Sequence, residues 1–299
     1  MNFFNEIKYS LKGNNNFKIL IYLNLIVFVA VLLINALAFL FNHPEFDIVK
    51  WLAIPSNPKE LLQKPWTVIT YMFTHKSFFH ILFNLLVFFW FGKLFLQYLS
   101  QRQLLGVYVL GGLAGALFFI LAFNIFPAFT SVRSGAYALG ASASIMAVVI
   151  AIAILIPNQR VYMLFFGQVK LIYLAIIVVL LDVLSIPVGN AGGHIAHLGG
   201  ALVGYVFVLR YRKGKDITIW ISRFLNGVKE FFKPSKNVKI KPGKKKTQHK
   251  RPETDMEYNS RKKAEQDEVD KILEKVAQSG YSSLTQDEKD KLFRMSNKK

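Results

Sequence analysis

Residues 193–211 read GHIAHLGGALVGYVFVLRY, and they carry the most informative signals for the fold. It is apolar over nearly the ~20 residues that a transmembrane helix needs, yet it holds His194 and His197 near its start. His197, Gly200 and Gly204 share one helix face, and the two glycines have the small-xxx-small spacing that lets membrane helices approach closely. Ionisable groups within a membrane are costly and usually functional, so the stretch predicts a closely packed span with a functional imidazole.

Five further stretches have the apolar length of a membrane span. They cover residues 19–41, 78–98, 104–126, 136–156 and 171–188. The first is too long for a signal-peptide core and lacks a small-residue cleavage site, so we expect it to remain as an anchor. Lys and Arg concentrate before the first span, after the second and fourth spans, and after the sixth. This distribution predicts both termini in the cytoplasm, with spans two, four and six entering from the outer face.

The charge of the chain is unevenly distributed. The 299 residues are 53% hydrophobic and carry a net charge of +19, and residues 212–299 hold 24 of the 37 basic residues with 13 of the 18 acidic ones. A water-soluble globule rarely combines these properties, so we expect a membrane domain followed by a charged tail. This excludes an ordinary cytosolic enzyme. The absence of cysteine excludes a disulfide scaffold, a thiolate nucleophile and a Cys metal site.

The connection between the first two spans, residues 42–77, is rich in aromatic side chains. Trp51, Trp66 and Tyr71 are residue types that favour the membrane–water boundary. We interpret this first loop as partly embedded, although its composition equally fits a small folded outer loop.

Polar side chains within the predicted spans occur at one depth. With 1.5 Å of rise per residue, Ser142 lies about 9 Å below the outer end of span four, and His197 about 6 Å into span six. His80 and Asn84 lie about 3 to 9 Å into span two and share a helix face. A hydroxyl, two imidazoles and an amide at one level suit peptide hydrolysis: Ser142 as the nucleophile, His197 as its base, and His80, Asn84 and the Ser142 N–H as oxyanion donors.

Other intramembrane chemistries lack their residues. No His-Glu-x-x-His sequence is present for a zinc protease, and a two-aspartate mechanism needs a second acid beside Asp182. A metal site built from His75, His80, His194 and His197 is conceivable but has no carboxylate or thiol placed nearby, so no metal is expected. No carboxylate is obviously placed to orient His197, so a Ser–His dyad is the simpler reading. Asp182 could orient a histidine, bond between helices or face a polar cavity, and we favour a structural role.

These residues form a set of motifs in which the chain resembles the rhomboid family of intramembrane serine proteases. Leu139–Ala143 resembles the Gly-x-Ser-x nucleophile motif, His80-Ile81-Leu82-Phe83-Asn84 the His-x-x-x-Asn motif, and residues 196–204 the Ala-His-x-x-Gly-x-x-x-Gly motif. The resemblance, to bacterial members with a cytoplasmic C-terminal tail, spans about residues 66–211. It implies an all-α polytopic membrane protein with a six-transmembrane-helix rhomboid-like bundle and a small helical cytoplasmic tail.

The resemblance also implies roles for individual residues. Ser142 and His197 would be catalytic, and His80 and Asn84 would stabilise the oxyanion. Structural support would come from His75, Gly140, Gly200 and Gly204. The first loop of the family usually carries Trp-Arg, whereas Trp66-Thr67 stands here, so the arginine of the family pattern is replaced by threonine. Members cleave single-span membrane proteins that enter laterally near span five, and no soluble cofactor is implied. We expect a multi-pass protein of the bacterial inner membrane. The alternative is an inactive relative that binds membrane helices.

The predicted domains are a cytoplasmic segment (1–18), the membrane domain (19–211), an amphipathic membrane-surface helix (212–232), a basic linker (233–260) and a small helical hairpin (261–299). In the amphipathic helix, apolar residues recur at helical spacing between Lys and Arg. The basic residues of the linker should attract anionic lipids. Because these residues lie near the membrane, we do not expect nucleic acid as a partner. In the hairpin, Gly280 ends one helix and a Thr285–Glu288 capping box opens the next. We expect it to dock or regulate.

Overall fold

The computed structural model describes residues 15–43, 45–163, 167–231 and 255–296. The chain forms two compact units, Met1–Lys233 and Pro234–Lys299. The first unit contains the membrane domain, and the second contains a helical hairpin.

Six apolar helices form the membrane domain, which confirms the predicted fold class. Four have the length and composition to cross a membrane: Asn16–Leu40, Phe78–Tyr98, Gln101–Ile125 and Ala191–Tyr211. Two are shorter, Ser142–Leu155 and Leu171–Ser185. In chain order these six helices are the first to sixth spans. The second begins and ends where the sequence predicts, and the others differ at their ends by a few residues, apart from the fourth.

The fourth span begins at Ser142 rather than near residue 136, which corrects the predicted depth. Tyr137–Ala138 is a short strand that pairs antiparallel with Ile54–Pro55 of the first loop. An extended backbone held by this pairing cannot belong to a helix. Ser142 therefore lies at the amino end of its helix, and the extended segment, not several residues of helix, leads the chain to it.

The first loop is folded against the helices. It contains short helices at Val49–Leu52, Pro58–Gln63 and Thr67–Thr70, and a 3₁₀ turn at Tyr71–Phe73. Ile54, Tyr71 and Met72 are buried in the main apolar core. The loop therefore supplies part of the wall around the start of the fourth span. The third-to-fourth connection adds 3₁₀ turns at Pro127–Phe129 and Arg133–Gly135.

The fourth span is the centre of the bundle, because small residues of its neighbours let them approach its backbone. A Cβ added to Gly115 of the third span would lie 2.5 Å from the Ala143 Cβ. Added to Gly200 or Gly204 of the sixth span, it would overlap the carbonyl oxygen of Ala143 or Ala147. The close approach expected from the Gly200–Gly204 spacing is therefore confirmed, and it occurs against the helix that begins with Ser142.

The fifth span follows a hairpin of two strands, Arg160–Met163 and Gly167–Lys170. It is sparsely packed, because only Leu171, Ala175 and Asp182 of its side chains are buried. Two of these are near its start. The third, Asp182, lies near its carboxyl end and is the only acidic residue in the six spans.

The segment after the sixth span is fastened to the start of the third span by Asp216. Its carboxylate accepts hydrogen bonds from the Thr218 N–H at 2.8 Å and from Gln103 Nε2 at 3.2 Å, and it pairs with Arg102. Partial burial favours the protonated acid, but these hydrogen bonds and the Arg102 charge outweigh it and hold the pKa of Asp216 below its usual 3.8. The helix Ile219–Phe231 follows, within the predicted range 212–232.

The second unit contains the helix Asp255–Ser279, a 3₁₀ turn at Tyr281–Ser283 and the helix Gln286–Ser296. Gly280 has φ +79° and ends the first helix, as predicted. The predicted capping box is present, because the Thr285 N–H donates to Glu288 Oε2 at 2.7 Å and the Glu288 N–H to Thr285 Oγ1 at 3.4 Å. The hairpin begins six residues before the predicted boundary, while most of the predicted linker and the segment before residue 15 lie outside the described residues.

Candidate active site

Ser142 is the first residue of the fourth span, where helical N–H groups have no partner within the helix. The turn before it is held by the first loop. The Gly140 N–H donates to the Tyr71 carbonyl at 2.9 Å, and the Ala141 N–H donates to His75 Nε2 at 3.4 Å. The serine hydroxyl therefore lies at the positive end of a helix dipole, on a turn whose shape is set from outside the helix.

Gly140 has a backbone conformation that few other residues adopt, with φ +117°. A Cβ placed there would lie 2.8 Å from His80 Cε1 and 3.8 Å from Ser142 Oγ. The glycine therefore does two things: it permits the turn, and it leaves room for the His80 ring beside the serine. This gives a physical reason for the predicted support role of Gly140.

His75 and His80 form an edge-on ring pair with centroids 5.0 Å apart. His75 is fully buried, and its Nδ1 lies 3.3 Å from the Phe73 carbonyl, so Nδ1–H donates there while Nε2 accepts from Ala141. Asn84 is buried on the same face of the second span as His80, and its Nδ2 donates to the His80 carbonyl at 2.8 Å. One amide N–H remains for another acceptor. The oxyanion roles of His80 and Asn84 stay predictions.

His197 has a carboxylate partner, Asp182, which was not obvious from the sequence, where a structural role was favoured for this residue. Its Nδ1 lies 2.8 Å from Asp182 Oδ1 across the fifth and sixth spans. A carboxylate only accepts hydrogen bonds, so Nδ1 carries the proton and Nε2 of the neutral ring is left with a lone pair. This is the tautomer that a general base needs. The sequence could not show this pairing, because the two residues are on different helices.

His194 shares the same acceptor. Its Nδ1 also lies 2.8 Å from Asp182 Oδ1, while Oδ2 is buried without a hydrogen-bond partner in the part of the chain that the structure describes. One ligand atom from each of Asp182, His194 and His197 lies within 4.8 Å of the others. This group differs from the four-histidine set considered from the sequence. The sequence offered two signals for it: the single acid within a span and the three-residue spacing of the histidines.

Ser142 and His197 are brought towards each other by helix packing rather than by a direct bond. Gly200, one turn after His197, contacts the backbone of Ala143, the residue after Ser142. Among the described residues, Ser142 Oγ makes no hydrogen bond to His197. Hydrogen bonds of this kind are often long in substrate-free enzymes and tighten when substrate binds. The catalytic roles therefore stay predictions, supported by the neighbourhood of the two helices.

Comparison with known proteins agrees with this architecture. A family model described as "Rhomboid domain" matches residues 62–214, and one described as "Family of unknown function (DUF6576)" matches residues 253–298. The chain is 31% identical over 158 residues to "RHOMBOID-like protein 12, mitochondrial" of Arabidopsis thaliana, covering 50% of this chain and 47% of that protein.

It is also 29% identical over 181 residues to "Presenilin-associated rhomboid-like protein, mitochondrial" of Homo sapiens, covering 58% of this chain and 45% of that protein. The mouse protein of the same name is 29% identical over 189 residues, with the same coverage. The chain thus spans less than half the length of the curated relatives it matches. Because the rhomboid match covers slightly more than half of the chain and includes every predicted site residue, the chain belongs to the rhomboid family.

Proposed function

We propose that the membrane domain is an intramembrane serine endopeptidase that cleaves single-span membrane proteins. The observation that carries the proposal is the state of His197, whose Nδ1–H is held by Asp182 while its helix packs against the backbone beside Ser142. A serine at a helix amino end, near a histidine of fixed tautomer, is the arrangement that acyl transfer requires.

In the proposed reaction, Ser142 Oγ attacks the scissile carbonyl carbon and His197 Nε2 takes the hydroxyl proton. His197 then donates that proton to the leaving amide nitrogen as the peptide bond breaks. Water hydrolyses the acyl-enzyme by the same steps, with His197 again as the base. Asp182 holds the ring and stabilises the imidazolium that forms, so the dyad expected from the sequence gains a third member.

The negative oxygen of the tetrahedral intermediate would be stabilised at the start of the fourth span. The Ser142 N–H and the positive end of the helix are fixed there, and the His80 ring lies beside Gly140. His80 and Asn84 supply the side-chain donors. Because these groups are held before substrate arrives, they lower the barrier without reorganisation.

The proposed substrate class rests on the family resemblance, and the position of the site within the membrane domain supports it. A peptide bond reaches Ser142 only if its helix is locally unwound, which suits single-span segments that unwind easily. The names of the relatives place those proteins in mitochondria. For this chain we keep the bacterial inner membrane as the proposed location, and membrane fractionation of the native host is its test.

The experiment compares cleavage of a fluorescently labelled single-span protein by the purified wild-type chain and its variants. Ser142→Ala and His197→Ala should each reduce the rate by at least about 1,000-fold, as for the members of other catalytic units. Ser144→Ala is the matched control, because Ser144 is a buried serine one residue beyond Ala143, with Oγ facing Met72 Sδ at 4.0 Å. It should cleave at close to the wild-type rate.

Cleavage that persists in Ser142→Ala would reject the mechanism. Substrate that co-purifies with the wild-type chain without being cleaved would favour the alternative, an inactive relative that binds membrane helices. Reaction of Ser142 with a fluorophosphonate separates the two outcomes, because only an activated serine is labelled.

We also propose that the helix Ile219–Phe231 lies on an anionic membrane surface. Trp220 and Phe224 are four residues apart and exposed, whereas Ile221 is buried, and the helix contacts the third span. In the full chain in nanodiscs, anionic lipid should slow amide hydrogen exchange in residues 219–231 relative to zwitterionic lipid. Equal exchange in both lipids would reject the proposal.

A further inference from the structure

The cluster of Asp182, His194 and His197 has the composition of a metal site that the proposed hydrolysis does not need. Two imidazole nitrogens face one carboxylate oxygen, each at 2.8 Å, and the ligand atoms of all three residues lie within 4.8 Å of one another. The side chain of Asp182 is 8% exposed, and those of His194 and His197 are 23% and 20% exposed. The cluster is therefore sheltered, although the two histidines keep part of their surface exposed.

The charge of the cluster is unbalanced. Asp182 contributes a carboxylate, and no Lys or Arg among the described residues forms an ion pair with it. Its Oδ2 atom is buried and has no hydrogen-bond partner in the same residues. Such an atom carries a desolvation cost that a cation would offset. The hydrogen bonds from the histidines thus use only one of the two carboxylate oxygens of Asp182.

We propose that Asp182, His194 and His197 bind a divalent transition-metal ion of the Zn²⁺ class, and that this ion inhibits the enzyme. Two imidazoles and one carboxylate are ligands that Zn²⁺ accepts at about 2.0–2.2 Å, with the fourth position left to water. Small side-chain rotations from the hydrogen-bonded arrangement create the separation between ligands that a tetrahedral ion requires. His194 and His197 are three apart on one helix, so both reach the same ion.

Inhibition follows from the tautomer of His197 and rests on the proposed function. When the metal ion binds His197 Nδ1, the proton on Nδ1 must leave. In the neutral, metal-bound ring the proton then resides on Nε2. A His197 with Nε2–H has no lone pair for the Ser142 proton. The ion would therefore remove the base without touching the serine, and a chelator would restore it.

Binding is tested without reference to activity. Co²⁺ is titrated into the purified full-length chain, prepared without a histidine tag, and the visible d–d absorption of tetrahedral Co²⁺ is followed. The wild-type chain should show this absorption and lose it when Zn²⁺ is added. His194→Ala and Asp182→Asn should each weaken binding by at least about tenfold. Asp182→Asn keeps the side-chain shape, so it serves if His194→Ala does not fold.

The matched control is His43→Ala. His43 is an exposed imidazole next to a single carboxylate, Glu45, at 3.2 Å. Its removal should leave the Co²⁺ absorption unchanged. Equal Co²⁺ affinity in the wild-type chain and in folded His194→Ala or Asp182→Asn would overturn the proposed site.

The inhibitory consequence is tested by cleavage assays with Zn²⁺ and with EDTA. Zn²⁺ should abolish wild-type cleavage reversibly and should inhibit His43→Ala equally. Co²⁺ binding at the site without inhibition of an active enzyme would overturn the inhibitory claim. A chain that binds Co²⁺ as expected but cleaves nothing in the absence of metal would instead reject the proposed function, so the two failures are distinguishable.

Discussion

Replacing Gly200 by alanine tests whether helix packing sets the distance between Ser142 and His197. A Cβ at Gly200 would overlap the Ala143 carbonyl oxygen and lie 2.9 Å from its carbon, whereas ordinary contact begins at 3.4 Å. The sixth span must therefore move away by at least about 0.5 Å, and by more to clear the oxygen. His197 is one turn from Gly200 and moves with it.

The expected consequence is a large loss of activity with a moderate loss of stability. A misplacement of about 1 Å can cost about 100-fold in rate. For a shift of at least about 0.5 Å in the sixth span, we therefore expect Gly200→Ala to cleave about 10- to 100-fold more slowly than the wild-type chain. Overpacking a tight contact costs about 1–3 kcal/mol of folding free energy. The rate is measured with the labelled single-span substrate below the melting temperature of the variant, so that unfolding does not account for the loss.

The control is Gly227→Ala. Gly227 is also a helical glycine, but a Cβ there meets nothing within 4 Å. It should leave the cleavage rate unchanged. If Gly200→Ala also kept the wild-type rate and melting temperature, the sixth span would have to accommodate the methyl group without moving His197, and the packing argument would be refuted.

Three other changes have defined outcomes. Gly140→Ala should reduce cleavage at least about tenfold and destabilise the chain by roughly 1–3 kcal/mol, because φ +117° and the His80 ring oppose a side chain. Cleavage at the wild-type rate would contradict this prediction. Asp216 has a lowered pKa, so its contribution to stability is present above its usual 3.8 and is lost as pH falls through the folded-state pKa. The melting-temperature difference between wild type and Asp216→Asn should therefore shrink from about pH 7 to about pH 3. Thr285→Ala should destabilise the helix Gln286–Ser296 by roughly 1 kcal/mol, because it removes the helix cap. The measurement is amide hydrogen exchange in the full chain, which should become faster in this helix; unchanged exchange would argue against the cap.

The spans and their order were predictable from composition, because a stretch of apolar residues long enough to cross a membrane has few other uses. Local motifs were predictable for the same kind of reason. The capping box at Thr285 and the end of a helix at Gly280 depend only on neighbouring residues. The face shared by His197 and Gly200 follows from the helical repeat alone.

The start of the fourth span was not predictable, because it depends on a pairing with a distant segment. Residues 136–141 are apolar enough to continue the helix, but Tyr137 pairs with Pro55 of the first loop, and Gly140 donates to the Tyr71 carbonyl. The depth predicted for Ser142 assumed a helix that begins near residue 136. Because the helix begins at Ser142 itself, that depth was wrong.

The amino-acid sequence alone was enough to predict a membrane-spanning chain of the rhomboid family and to propose which serine, histidines and glycines form its site. The pairing of Asp182 with His194 and His197 emerges only when the fifth and sixth spans are packed together. Helices in a membrane are apolar all round, so periodicity does not tell which face of one meets which face of the next. That choice is made by close packing across the glycines and by the one carboxylate within the six spans, which finds its donors on another helix.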